Sequence, residues 1–286
     1  MTLYALGGQA VRASEAVRFR LVRDHFVVVS VRLNGEGPFD FMLDTGTNST
    51  IIDLALHGQL ALPTSDRISL MTLAGSRTVP RAWLRRVALG AKAVENLEIL
   101  CGDLRDIRSL DARIRGVLGQ NFLSQFNYIL NYAERRIEFE EDGDEMGRTL
   151  RGARLPFEDD EGKIIVRPEP ASPKERALRL VLDSGISSLL LFSASSGRLG
   201  YDLDFSESLP LKASTNFGSS SGMRTGRIRK IRIGGETFRD LPLVLADGDA
   251  IRESRTDDGL LPTRLFRAIY FDHKAKMLIL NPRPPG

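Results

Sequence analysis

Apolar residues fall in short runs along this chain, and polar turns separate them. Phe26-Val27-Val28-Val29 and Val31-Arg32-Leu33, rich in β-branched residues, end at Asn34-Gly35-Glu36-Gly37-Pro38. Such runs predict strands joined by a turn. The next run, Phe39 to Leu43, delivers Asp44 at its end, and Thr45-Gly46-Thr47-Asn48-Ser49-Thr50 follows before Ile51 and Ile52. Ile51 to Leu62 has room for one short helical turn before Pro63. Further on, the segments of Ile68 to Val79 flank a small-residue tip, Ala74-Gly75-Ser76-Arg77. Val87-Ala88-Leu89-Gly90 and Val94 to Leu100 form the two arms of another hairpin, and Tyr128 to Phe139 folds back around Ala133-Glu134-Arg135-Arg136.

The plan then recurs. Leu180-Val181-Leu182-Asp183-Ser184-Gly185 repeats the frame of Asp44 at 183 − 44 = 139 positions. Ile231-Arg232-Ile233-Gly234 answers Val87-Ala88-Leu89-Gly90 at 231 − 87 = 144, and Phe238 answers Val94 at 238 − 94 = 144. Gly259-Leu260-Leu261-Pro262 answers Gly116-Val117-Leu118-Gly119 at 259 − 116 = 143, and Leu278 answers Ile137 at 278 − 137 = 141. Landmarks in one order at nearly one offset predict an internal duplication of an all-β unit. The acidic Glu140 to Gly152 stretch, without apolar periodicity, is the natural linker. The expected division is therefore residues 1–150 and 151–286, one acid in each.

Composition adjusts this picture only slightly. The 286 residues, 42% of them hydrophobic, suffice for two modest lobes. A net charge of +3 from 40 basic and 37 acidic residues is mixed, which argues against a nucleic-acid partner. The single cysteine, Cys101, excludes an internal disulfide and any Cys-based zinc cluster, and beside Ile99 and Leu100 it reads as core. No run reaches the ~18 to 20 apolar residues of a membrane-spanning helix, so no membrane partner is expected. The N-terminus lacks a basic region and a long enough apolar segment for a signal peptide. Location stays open between the cytoplasm, with Met1 as the native start, and export with a signal already trimmed.

An acid at the end of a buried strand is costly unless it is hydrogen-bonded, paired or protonated. If the two lobes pack about a pseudo-two-fold axis, Asp44 and Asp183 face each other. Two carboxylates ~3 Å apart cannot both ionise, so they share one proton. The ionised member can then take a proton from a water while the protonated member donates to a carbonyl oxygen. This is amide hydrolysis without metal or cofactor. Gly46 and Gly185 allow close approach of the loops, and the Thr45 and Ser184 hydroxyls can bond across to the opposite loop.

Asp44-Thr45-Gly46-Thr47, Asp183-Ser184-Gly185 and the apolar-apolar-Gly element Val117-Leu118-Gly119 resemble the pepsin-like and retropepsin-like aspartic proteases in both halves of the chain, and the first half looks like the bacterial retropepsin-like group. The resemblance implies a bilobed fold of two β-barrel-like lobes, catalytic Asp44 and Asp183, and a support of Thr45, Gly46, Thr47, Ser184 and Gly185. It also implies a hairpin flap over the cleft, drawn here from Leu73, Ala74, Gly75 and Ser76 or from Phe217, Gly218 and Ser219. The implied activity is endopeptidase action on a polypeptide substrate, by a monomer, since one chain holds both acids. The chain departs from the pattern at Ile186, where a hydroxyl or small residue is usual, at Pro262 in place of glycine, and in flaps that lack tyrosine.

Two rival readings accompany this one. The first is a duplicated β-fold that binds peptide with weak cleavage or none. The second is a serine hydrolase, since Gly218-Ser219-Ser220-Ser221-Gly222 matches a nucleophile elbow and His273 lies downstream. An elbow requires a buried strand before Ser220 and a helix after it, which the flanking residues do not supply. His25, His57 and His273 have no metal-ligand spacing, and they read as surface or strand residues. Arg224, Arg227, Arg229, Lys230 and Arg232 read as the solvated face of a hairpin, and Trp83 suits the base of the flap, the core or the surface equally well.

Overall fold

The computed structural model describes residues 16–72, 75–141, 146–170, 176–192, 201–205, 210–215, 218–246 and 256–284. The first half runs β1 (Val17–Arg18), β2 (Arg20–Val22), β3 (Phe26–Leu33), β4 (Glu36–Leu43), β5 (Thr50–Asp53), α1 (Leu54–Gln59), β6 (Thr64–Thr72), β7 (Gly75–Leu89), β8 (Lys92–Gly102), α2 (Arg105–Leu110), β9 (Ile114–Leu118), α3 (Gln120–Leu123), β10 (Tyr128–Asn131) and β11 (Arg136–Phe139). The second runs α4 (Met146–Thr149), β12 (Arg151–Pro156), β13 (Glu158–Asp160), β14 (Lys163–Val166), β15 (Leu180–Asp183), β16 (Leu189–Phe192), β17 (Leu203–Asp204), β18 (Pro210–Thr215), β19 (Gly218–Ile233) and β20 (Glu236–Ala246). It ends with β21 (Gly259–Pro262), a 3-10 turn (Thr263–Leu265), β22 (Ala268–Asp272) and β23 (Met277–Arg283).

Three sheets organise these strands. Eight strands of the first half lie in the order β2-β3-β4-β9-β5-β8-β7-β6, and an added β3–β7 pairing curls the sheet toward a barrel. The second half builds β13-β14-β15-β21-β16-β20-β19-β17, with β18 on β19. A third sheet, β1-β11-β10-β22-β23-β12, takes strands from both halves. The fold is all-β and two-lobed.

The duplication is visible in register. Leu43 pairs with Leu118 in the parallel β4–β9 ladder, and Leu182 with Leu261 in β15–β21. At the seam, Tyr128 pairs with Phe271 and Leu130 with Ile269. Because 269 − 128 and 271 − 130 both equal 141, the seam maps onto itself when the halves exchange, which is a pseudo-two-fold axis.

The segments that lead into the two acids, Phe41–Leu43 and Leu180–Leu182, are apolar and buried because each is covered on both faces. Phe41 and Leu43 enter the main core while Met42 enters a second cluster with Val28, Ile51 and Val117. Leu180 and Leu182 likewise face the main core, and Val181 packs with Ile165, Leu190 and Leu260. Asn34 and Gly35 turn β3 into β4 with φ of 51° and 90°, the left-handed pair of a tight hairpin.

Several local expectations shift. Thr72 pairs with Gly75, Met71 with Ser76 and Leu70 with Arg77, so Gly75, Ser76 and Arg77 are strand rather than tip. None of the three histidines is in a strand. His25 lies in the β2–β3 turn, His57 in α1 and His273 in the β22–β23 turn, where it is ringed by Tyr128, Phe157 and Phe271. Trp83 is about half exposed on β7, and Arg224, Arg227, Arg229, Lys230 and Arg232 are exposed along β19. Burial pushes the Cys101 thiol up to about 11, as suits a core residue.

Candidate active site

Asp44 and Asp183 follow the same construction. Asp44 directly follows β4 and Asp183 ends β15; each is buried, and each points a carboxylate oxygen at the amide two residues on. Gly46 N donates to Asp44 Oδ1 at 2.9 Å, and Gly185 N donates to Asp183 Oδ1 at 2.6 Å. The turn that follows each acid thus supplies a donor aimed at the charged form.

The loops meet across the pseudo-axis. Thr45 N donates to Ser184 Oγ at 3.0 Å, and Ser184 N donates to Thr45 Oγ1 at 3.1 Å. Each hydroxyl then donates onward to the backbone before the opposite acid, Thr45 to Leu182 O and Ser184 to Leu43 O, both at 2.8 Å. All four bonds are buried and join residues 137 to 141 positions apart. At about 1 kcal/mol net each they tie the lobes together at the acids.

The glycines set the spacing. A methyl group on Gly46 would overlap the Asp183 carboxyl, and one on Gly185 would lie 2.7 Å from Asp44 Oδ2. Each acid therefore occupies the space in front of the opposite loop's glycine. No larger residue fits at either place.

Behind Asp44 the first loop is laced to the end of β9 and to α3. Gln120 Nε2 donates to Thr45 O at 3.0 Å, Gln120 N to Thr47 O at 2.9 Å, and Asn121 N to Asn48 O at 3.1 Å. Asn121 Oδ1 accepts from Thr50 N and Thr50 Oγ1, and Thr50 Oγ1 accepts from Gly119 N. Gly119 is needed here because a methyl group would strike the Ser49 carbonyl. Thr47 turns its hydroxyl to Ser49 O at 3.4 Å, so its backbone, more than its side chain, supports the loop.

The departures at Ile186 and Pro262 find local explanations. Ile186 packs against the Ile165–Val181–Leu190 cluster, so an apolar side chain suits its place. Pro262 pairs with Asp183 at the end of an undistorted parallel ladder, where φ is −70°. The two halves also touch at Asn48, whose Nδ2 donates to Glu161 O at 3.3 Å, beside Gly162.

Of the flap residues, Gly75, Ser76, Gly218 and Ser219 lie on hairpin strands, and Leu73, Ala74 and Phe217 lie outside the described residues. The β18 strand of the second hairpin runs next to α2 of the first half. Gly218 to Gly222 continue in strand β19 with no turn into a helix, and His273 lies in the β22–β23 turn, so the elbow context for Ser220 is missing. Among the described residues no group of three His, Cys, Asp or Glu side chains forms a metal site. Gln120, Asn121 and Thr50 were not among the residues anticipated. Their one sequence signal is that Gly119-Gln120-Asn121 has Pro262-Thr263-Arg264 as its counterpart, a break in the repeat.

A family model described as aspartyl protease matches the chain twice, over residues 29–122 and 170–263, and each match contains one of the two acid loops. No curated protein matches. The chain belongs to the aspartyl protease family, as a two-lobed retropepsin-like member.

Proposed function

We propose that the protein is an endopeptidase in which Asp44 and Asp183 are the catalytic pair. The observation that carries this reading is the reciprocal Thr45–Ser184 clasp, with each glycine facing the opposite acid. It brings two buried carboxyl groups together in an environment that favours one shared proton. The ionised acid takes a proton from a water between them, and the water oxygen bonds to the scissile carbonyl carbon while the other acid protonates the carbonyl oxygen. Collapse of the resulting diol breaks the C–N bond as a proton passes to the leaving nitrogen. No metal or cofactor enters, and the substrate is an extended polypeptide lying between the lobes and under the hairpins.

A peptide library incubated from pH 3 to 8, with and without a statine-type inhibitor, tests the activity. Asp44→Asn and Asp183→Asn are each expected to lower cleavage by about 10²- to 10⁴-fold while the far-ultraviolet circular dichroism stays unchanged. Full activity in either variant refutes the pair. Peptide binding by the wild type without cleavage at any pH would instead favour the peptide-binding reading.

A further inference from the structure

The two acid loops are braced from behind in different ways. In the first half, Gln120 reaches its own loop at Thr45 O. Thr263 takes the equivalent place in the second half, at 263 − 120 = 143, and its hydroxyl turns away to the first half. Thr263 Oγ1 lies 2.6 Å from the Tyr132 hydroxyl, and both side chains are buried. Thr263 directly follows Pro262, the strand partner of Asp183, so this bond abuts the end of the ladder that carries the second acid. Tyr132 also senses that acid. Burial above all keeps its phenol from ionising, and the Asp183 charge pushes the same way, against the Thr263 bond and Arg264. The Arg264 guanidinium covers the ring at 5.2 Å.

The equivalent of Tyr132 in the second half is His273, at 273 − 132 = 141. The match is structural as well: Tyr132 meets Phe19 edge-on at 6.0 Å and 73°, and His273 meets Phe157 at 5.9 Å and 75°. His273 Nε2, however, has no hydrogen-bond partner among the described residues. Among the described residues, the ring-borne polar group at this position bonds across the halves on the Tyr132 side only.

We propose that Tyr132 is a positioning residue for the second acid: beyond the clasp that both loops share, the first half braces the Asp183 strand through the Tyr132–Thr263 hydrogen bond, whereas the matching brace behind the first loop, Gln120 to Thr45 O, comes from the first half itself. The expected effect on rate rests on the peptidase reading above. The expected effect on the Asp183 carboxyl does not depend on that reading. Removing the phenol oxygen and keeping the ring strands a buried hydroxyl at Thr263 and loosens the end of the β15–β21 ladder that carries Asp183.

The test uses Tyr132→Phe, Thr263→Val and the double variant in the full chain. The Asp183 carboxyl is titrated by carbon-13 NMR and assigned with Asp44→Asn. Each single variant is expected to move the Asp183 midpoint by about half a pH unit or more. Each is also expected to lower kcat about tenfold with KM nearly unchanged, and to move the pH–rate profile with the midpoint. The double variant should match the worse single, because both changes remove one bond. A fall in melting temperature alone, with midpoint and pH profile unmoved, overturns the proposal and leaves a purely structural bond. Should the wild type cleave no peptide, the peptidase reading fails separately and the titration still decides: a moved midpoint sustains the positioning role, an unmoved one ends it.

Discussion

At the scale of single residues, the hydroxyls of Thr45 and Ser184 carry more of the site than their size suggests. Ser184 Oγ both accepts from Thr45 N and donates to Leu43 O, so its loss strands two buried backbone groups at once. Ser184→Ala is therefore expected to destabilise by about 1–3 kcal/mol for each stranded group, while Thr45→Ser, which keeps the hydroxyl, should cost far less. Denaturant midpoints at constant m-value check this, and an alanine variant as stable as wild type would contradict it. These hydroxyls were legible in the sequence because each sits next to an acid inside a repeated apolar frame. Tyr132 and Thr263 were not. A side-chain bond across 131 positions leaves no spacing to read, and a tyrosine in a hairpin turn resembles any other core aromatic.

At the scale of elements, the halves share a strand plan and differ in what holds the acid loop. In the first half, Asn121 of α3 accepts from Thr50 twice and donates from Nδ2 to Glu98 O at 2.7 Å, locking β5, β8 and the loop together. Its counterpart in the second half is Arg264, at 264 − 121 = 143, an exposed residue spread over the Tyr132 ring. Asn121→Ala should thus cost about 2–4 kcal/mol, since three groups lose a partner, and Arg264→Ala about 1 kcal/mol or less. Equal costs for the two would show that the lacing carries no more than the cation–ring contact. The strands themselves were readable from alternation, turn residues and the repeat. The exact hairpin tip was not, because Gly75 and Ser76 suit a turn and a strand alike, and the decision lies with the pairing to Met71 and Thr72.

At the scale of the whole molecule, the six-stranded sheet joins the halves and also makes the fold sensitive to acid. His273 stands at the β22–β23 turn of that sheet, its backbone N–H donating to Asn127 Oδ1 at 2.9 Å and its ring among Tyr128, Phe157 and Phe271. Burial pushes its pKa down to about 4, against the opposing pull of Asp159 and Asp272. The usual value in an unfolded chain is about 6.5. Between these limits the unfolded chain binds a proton that the folded one refuses, so stability falls as pH drops from about 6.5 to 4, by at most about 1.4 kcal/mol per pH unit. Above 6.5 both states are neutral at this site and the contribution is flat. His273→Phe, which keeps an aromatic ring in the stack, is expected to remove this slope while leaving the stability at pH 7.5 within about 1 kcal/mol. Urea unfolding at half-unit steps from pH 7.5 to 4 measures it, and an unchanged slope in the variant would assign the acid sensitivity elsewhere. Under the proposed peptidase reading the consequence reaches function, because acid protonates one carboxyl of the pair while it weakens the sheet that holds the lobes together, and His273 contributes to that loss.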